Sequence, residues 1–216
     1  MQHFWLLFLL VLAACSSESP EKYSEEDYSW QEFRARNEEL SLVRPVIYRA
    51  FVPNSWTRKD FEATESISDT KKPICEFIVA DSADQVHLTI HTFPFNHSQA
   101  RIPCQAQIMR WKNQFEELHP LLTHVYNETH GGFCGMKLEA QGVFQQKEQK
   151  MIAWSMELAN EHERQLHLSA RKKDNYKLAD YTIKVVGSPH LVDKHKNEIQ
   201  KFAESFELIE ELHTTL

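Results

Sequence analysis

The sequence predicts an α+β fold in which a mostly antiparallel sheet of about six to eight strands packs with two long helices. Strand-like segments follow one another with short turns between them, whereas a parallel sheet would alternate strands with helices. Two long segments elsewhere repeat apolar residues at helical spacing. Of the 216 residues, 42% are hydrophobic and 11% aromatic, which is enough to bury a core. We find no internal repeat and expect one domain over residues 29–216.

Alternation of apolar and polar residues marks the strands. Val86, Leu88 and Ile90 point to one side of their strand, and the intervening residues, among them His87 and His91, point to the other. The predicted strands are residues 46–52, 74–80, 85–93, 136–144, 150–158, 164–171 and 181–186.

Helical spacing marks three segments. A short amphipathic helix is predicted from Trp30 to Leu40 and cannot extend past Pro45. A long middle helix is predicted over residues 105–119. The C-terminal helix begins at Ser188-Pro189, an N-cap residue followed by proline at the first helical position. Its expected apolar stripe is Val192, His195, Ile199, Phe202 and Phe206.

Residues 1–15 contain the most specific motif. Phe4 to Ala14 is an uncharged apolar run that ends in Leu12-Ala13-Ala14-Cys15, before a polar stretch. This motif resembles the lipobox of bacterial lipoproteins, which implies that Cys15 is lipidated and becomes the first mature residue. Two or three acyl chains on one cysteine would hold the protein at a membrane. We therefore expect a signal peptide over 1–14, a lipidated cysteine with a flexible tether over 15–28, and an exported, lipid-anchored protein.

Two alternatives stay open for this segment. A retained membrane-spanning helix needs about 20 apolar residues, and the run has about half that length. An ordinary signal cleavage site prefers small residues at positions −3 and −1, where this chain has Leu12 and Ala14. Ser16 after the cysteine resembles lipoproteins sent to the outer membrane, but the sequence does not decide between the inner and the outer membrane.

The charge of the chain argues against two classes of partner. The formal net charge is −7, whereas a nucleic-acid-binding protein carries a basic patch. An acidic surface is also not attracted to anionic headgroups, so the lipid itself must hold the protein at the membrane. We expect no nucleic-acid partner and an unidentified protein partner in the envelope.

Four cysteines are present, Cys15, Cys75, Cys104 and Cys134. If Cys15 carries lipid, the other three cannot all pair with one another, although an exported protein can keep disulfides. Cys75 shares a strand face with Phe77, which predicts a buried free thiol. Cys104 and Cys134 stand at the ends of predicted elements, where they could form a disulfide or stay free.

Histidines on the predicted sheet suggest a ligand-binding surface. His87 and His91 lie on one strand face about 13 Å apart, at about 3.3 Å per residue. That is too far to share a zinc ion, whose bonds to nitrogen are about 2.0 Å long. His167 and Arg171 form a similar polar row on the predicted strand 164–171. If both strands face the same side, the four side chains could line a ligand site; otherwise they form a solvated polar face.

Catalytic, metal and cofactor motifs are incomplete. His162 to His167 resembles H-E-x-x-H, but its histidines are five residues apart rather than four. Gly131 to Gly135 lacks the lysine and the following helix of a phosphate-binding loop. His124, His130 and Cys134 could offer three metal ligands, although such loop histidines are more commonly turn residues. We predict no metal site, no cofactor and no enzymatic activity.

The chain resembles two further families, one through short motifs and one over its whole length. Phe51 to Trp56 resembles the opening motif of the Mog1/PsbP-like family, Phe202 to Phe206 resembles its closing helix, and Arg110-Trp111 lies on the middle helix. The order of elements over residues 43–209 is similar as well. The whole chain also resembles a family of chlamydial lipoproteins without an assigned activity.

These resemblances imply a function. Mog1/PsbP-like domains mostly act as binding and assembly modules of protein complexes. They therefore imply a membrane-anchored, non-catalytic lipoprotein that binds an envelope partner or stabilises an assembly. The alternative is a lipoprotein that binds a metal ion or a small ligand through the histidine-bearing sheet face or the loop.

Overall fold

The computed structural model describes residues 27–34, 46–61, 73–81, 84–94, 101–169 and 179–208. Eleven strands and four α-helices lie within these residues. In chain order they are β1 (Tyr28–Arg34), β2 (Val46–Pro53), β3 (Thr57–Asp60), β4 (Cys75–Asp81), β5 (Asp84–Pro94), α1 (Cys104–Lys112), β6 (Glu117–Leu118), β7 (His124–His130), β8 (Phe133–Phe144), β9 (Lys147–Leu158), α2 (Asn160–Ser169), β10 (Ala179–Gly187), α3 (Pro189–Lys194), α4 (Lys196–Glu204) and β11 (Glu207–Leu208).

Two antiparallel sheets organise the strands. The large sheet has eight strands in the order β3-β4-β5-β10-β9-β8-β6, with β7 also paired to β8. The small sheet has three strands in the order β1-β2-β11. Every strand pair described is antiparallel, which confirms the predicted α+β class.

One face of the large sheet, which we call the inner face, packs against the small sheet and the C-terminal helices. Aromatic rings fill this main core: the Phe33 ring lies 6.1 Å from that of Phe77, and Phe202 lies 5.7 Å from Phe77. Tyr181 lies 4.4 Å from Phe206. Because Cys75 is buried in the same cluster as a free thiol, the prediction for that residue is confirmed.

The opposite face, the outer face, carries a second and smaller core. α1 packs on β8 and β9, and Ile108 and Trp111 of the helix meet Leu138 and Met151 of the strands. The helix therefore covers the β8–β9 half of the outer face.

Two predicted elements have the wrong type. Residues 28–34 form strand β1 rather than the start of a helix, because pairing along β2 buries Tyr28 and Phe33. Residues 160–169 form helix α2, whereas the sequence predicted a strand over 164–171. Acidic residues in the first turn, Glu161 and Glu163, favour the N-terminus of a helix through its dipole. This local charge pattern outweighs the alternation of leucines that suggested a strand.

Both predicted long helices are shorter in the structure. α1 ends at Lys112 rather than at residue 119, because the backbone N–H of Glu116 donates to Val143 O over 2.8 Å and draws the chain into strand β6. The C-terminal helix is divided at His195, whose φ and ψ of −99° and 9° separate α3 from α4. Its predicted apolar stripe is nevertheless buried at Val192, Ile199 and Phe202.

Candidate functional site

A polar groove occupies the part of the outer face beside α1. Strands β4, β5 and β10 form its floor and one side, and the hairpin between β8 and β9 forms the other side. Its volume is about 520 Å³, which lies within the range of small-molecule sites. We call it the outer-face groove.

Strand register explains which side chains reach the groove. Glu76 stands opposite Thr89, Thr89 opposite Lys184, and Lys184 opposite Ala153. Directly opposed residues of antiparallel strands point to the same face, so these four form a row across the sheet. The row changes from polar to apolar at Ala153, where α1 begins to cover the sheet.

The first wall of the groove contains an acid–histidine pair. Nδ1 of His87 lies 2.8 Å from Oε1 of Glu76, and Nζ of Lys59 lies 4.0 Å from Oε2 of the same carboxylate. Glu76 is the more buried partner, with 16% of its side chain exposed against 48% for His87. The pair fixes His87 on the wall and leaves part of its ring open to the groove.

The other carboxylates of the groove also have partners. Asp84 accepts a hydrogen bond from the Ser188 hydroxyl and another from the backbone N–H of Gln85 over 2.9 Å. These hydrogen bonds lower the pKa of Asp84. Glu148 accepts from Nε2 of Gln141 over 2.9 Å and lies 3.2 Å from His119. Each acidic side chain lining the groove is therefore already engaged within the protein.

Lys184, unlike these acids, has no partner among the described residues. Its ammonium makes no hydrogen bond or ion pair with any described residue. Partial burial lowers the pKa of Lys184, and the neighbouring guanidinium of Arg110, on α1, lowers it further. The groove floor thus holds a cation that is subject to the positive charge of a second cation on α1.

The hairpin at the rim is held in an uncommon backbone conformation. Gln145 and Gln146 have φ values of 52° and 62°, the left-handed region that glycine and asparagine tolerate best. They form the two-residue connection between the opposed residues Phe144 and Lys147. Gln145 lines the groove, so the strained turn is part of the site.

Of the four predicted ligand-binding residues, the structure places one in the groove. His87 lines the groove. His91 shares the outer face of β5 but stands opposite Thr182, and the groove does not include it. His167 belongs to helix α2, so the predicted row on strand 164–171 does not form. Arg171 lies outside the described residues, as does Cys15.

Of the two alternatives left open for Cys104 and Cys134, a disulfide or free thiols, the structure has both thiols free. Cys104 is buried at the start of α1, where its Sγ–H donates to Ser155 O over 3.0 Å. Cys134 is exposed near the start of β8. Among the described residues, no three histidine, cysteine or acidic side chains converge to hold a metal ion.

Sequence reasoning missed Lys184, Thr89 and Glu76 as site residues. Lys184 stands within the predicted strand 181–186, opposite in orientation to Ile183 and Val185, and this alternation was the available signal. The strand order could not be read from the sequence, and only that order places β10 between β5 and β9.

Comparisons with known proteins establish a shared fold. No family model and no curated protein matches the sequence. Among solved structures, the chain is similar to that of LpqN, a protein involved in cell envelope biogenesis of Mycobacterium tuberculosis, with 11% identity and a TM-score of 0.53. The match covers 85% of this chain and 94% of LpqN. The two proteins share a fold.

A cyanobacterial PsbP (CyanoP) from Synechocystis sp. PCC 6803 is also similar, with 13% identity and a TM-score of 0.47. This match covers 92% of this chain and 99% of the other.

Within the part of the chain that the structure describes, no helix has the length and apolar character needed to span a membrane.

Proposed function

We propose that this chain is a lipid-anchored, non-catalytic binding protein of a bacterial cell envelope, and that the outer-face groove is its binding site. The groove carries the proposal: it is a polar depression of about 520 Å³ on a sheet whose opposite face is filled by the main core. Its side chains come from β4, β5, β10 and the β8–β9 hairpin, all parts of one rigid sheet, which suits a pre-formed site.

Two observations support the envelope location. The Leu12-Ala13-Ala14-Cys15 motif resembles a lipobox, and acyl chains on Cys15 would anchor the domain at a membrane. LpqN, which shares the fold, is involved in cell envelope biogenesis. The Mog1/PsbP-like resemblance supports the binding role, since such domains mostly act as binding modules.

Photo-crosslinking in cells tests the groove as the binding site. A photoreactive amino acid replaces Gln149, which lines the groove, and in a matched strain it replaces Glu204, an exposed residue of α4 on the other side of the large sheet. We expect an adduct at position 149 and none at position 204. A mass increase below that of a protein identifies a small ligand, and a larger one identifies a protein partner.

Equal adducts at both positions, or an adduct at position 204 alone, would show that the groove is not the binding site. Absence of any adduct at position 149 in the anchored protein would overturn the proposal in the same way.

A further inference from the structure

The floor of the outer-face groove holds a lysine whose charge no described residue neutralises. Lys184 stands in the centre of the sheet, with Thr89 on one neighbouring strand and Ala153 on the other. Neither neighbour carries a charge, and no described residue accepts a hydrogen bond from the ammonium or forms an ion pair with it. A partly buried ammonium without a partner opposes folding, because burial favours the neutral form.

Nearby carboxylates do not compensate for this charge. Glu76, one residue further along the row, lies against His87 and Lys59. Asp84 accepts from Ser188 and Gln85, and Glu148 from Gln141. The acids are therefore committed to other donors, although the groove lining contains three carboxylates against two lysines and one histidine.

Other cations and donors lie close to Lys184. Helix α1 covers Ala153, the neighbour of Lys184 on β9. It carries Arg110, which is exposed, has no described partner and acts on Lys184 with its positive charge. Lys147 stands on the rim. Gln149 and Thr89 add an amide and a hydroxyl to the lining. A guanidinium and an ammonium placed together are a common arrangement for binding carboxylate and phosphate oxygens.

We propose that the outer-face groove binds a small oxyanion-bearing ligand, whose phosphate or carboxylate group pairs with Lys184 on the groove floor. This inference rests on the proposed function of the groove and names the chemical class of its ligand. The groove volume admits a molecule larger than the anion alone, so the amides of Gln145 and Gln149 and the open part of the His87 ring are left to contact the remainder of the ligand.

Isothermal titration calorimetry tests the ligand class. The full lipidated chain is placed in phosphatidylcholine nanodiscs, in a chloride buffer free of phosphate and carboxylate, and titrated with inorganic phosphate, with succinate and with glycerol as a neutral control. We expect saturable binding of at least one anion and none of glycerol. A Lys184→Gln variant should bind that anion at least about tenfold more weakly, as expected for the loss of one charge-assisted hydrogen bond.

Two further variants separate the site from general electrostatics. Arg110→Gln should also weaken binding, because Arg110 adds positive charge next to Lys184. Lys194→Gln serves as the matched control: it removes an exposed lysine, paired to Asp81 and outside the groove, and should bind as the parent does. Lys184→Gln should keep or raise the melting temperature, because it removes an unpaired, partly buried charge.

A second set of nanodiscs containing phosphatidylglycerol distinguishes the source of the oxyanion. If a headgroup of the same bilayer occupies the groove, added phosphate should bind more weakly in these discs, and Lys184→Gln should abolish the difference. If the ligand is a free anion, both discs should give the same affinity. Either result supports an oxyanion at Lys184.

Unchanged affinity in Lys184→Gln would overturn the inference. The inference would also be overturned if neither phosphate nor succinate bound saturably and the two kinds of nanodisc gave the same titration result. If crosslinks still form at position 149 in that case, the groove remains the binding site and only its ligand class is wrong.

Discussion

His130 shows how one buried polar residue makes the stability of this fold depend on pH. Its Nε2 lies 3.0 Å from the hydroxyl of Tyr181 in the main core, and its Nδ1 is buried without a hydrogen-bond partner among the described residues. Burial lowers the pKa of His130 in the folded protein. The unfolded chain then binds a proton at a higher pH than the folded chain does.

We therefore expect acid to destabilise the protein through His130. The contribution of the neutral ring is present above the unfolded pKa, about 6.5, and is lost as the pH falls below it. Urea unfolding at a series of pH values between about 7.5 and 5 should show His130→Gln losing stability less steeply than the parent. Tyr181→Phe keeps the buried ring and should retain the parent slope. Equal slopes for His130→Gln and the parent would exclude this origin.

The three cysteines of the described domain should differ sharply in reactivity. Burial is the main cause that raises the pKa of Cys75 and that of Cys104 to about 12, whereas Cys134 is exposed. In the native full chain with Cys15→Ser, a thiol reagent at pH 8 should modify Cys134 rapidly and the other two only on unfolding. Cys134→Ala should remove the rapid phase. A single reactive thiol after unfolding without reductant would instead reveal a disulfide.

At the scale of elements, the β8–β9 hairpin contains a local conflict between sequence and backbone. Its two turn residues need positive φ at both positions, where Asn-Gly is preferred and this chain has Gln145-Gln146. Gln146→Gly should raise the free energy of unfolding by about 0.5–1 kcal/mol, since glycine adopts this conformation without strain. The backbone N–H of residue 146 still donates to Glu116, so that bond is kept.

The same substitution three residues later gives the control. Gln149 lies in the extended strand β9, so Gln149→Gly should destabilise the protein by about 0.5–1 kcal/mol. Denaturant unfolding should show a higher free energy of unfolding for Gln146→Gly and a lower one for Gln149→Gly than for the parent. A destabilised Gln146→Gly variant would mean that the glutamine side chains, rather than the backbone, decide the turn.

Helix α4 joins the two sheets through one aromatic side chain. Phe202 is 0% exposed and lies within 6.4 Å, between ring centres, of Phe33 and Trp56. Phe202→Ala should lower the free energy of unfolding by about 3–5 kcal/mol, because it removes apolar contacts and leaves a cavity. Leu121→Ala, at a leucine that is 89% exposed, should change it by less than about 0.5 kcal/mol. Equal melting temperatures for Phe202→Ala and the parent would place that side chain on the surface.

At the scale of the whole molecule, the sequence predicted the class of the fold better than the site. Strands such as β5 and β10 were found because alternation along a half-buried strand is a local property. Helix α2 was missed because Leu166 and Leu168 fit a strand period while the acidic first turn fits a helix. His87 was found as an outward-facing residue. Lys184 was not, because its role depends on which strands become neighbours, which is a non-local property.

The proposed function places the groove at a membrane surface through acyl chains on Cys15. Metabolic labelling with a radioactive fatty acid, followed by fractionation of the cells, tests it most directly. We expect the parent protein and Cys134→Ala, which loses an exposed cysteine elsewhere, to carry the label and fractionate with membranes. Cys15→Ala should carry no label and be either uncleaved or released from the membrane. Incorporation of the label into Cys15→Ala would contradict the lipoprotein assignment.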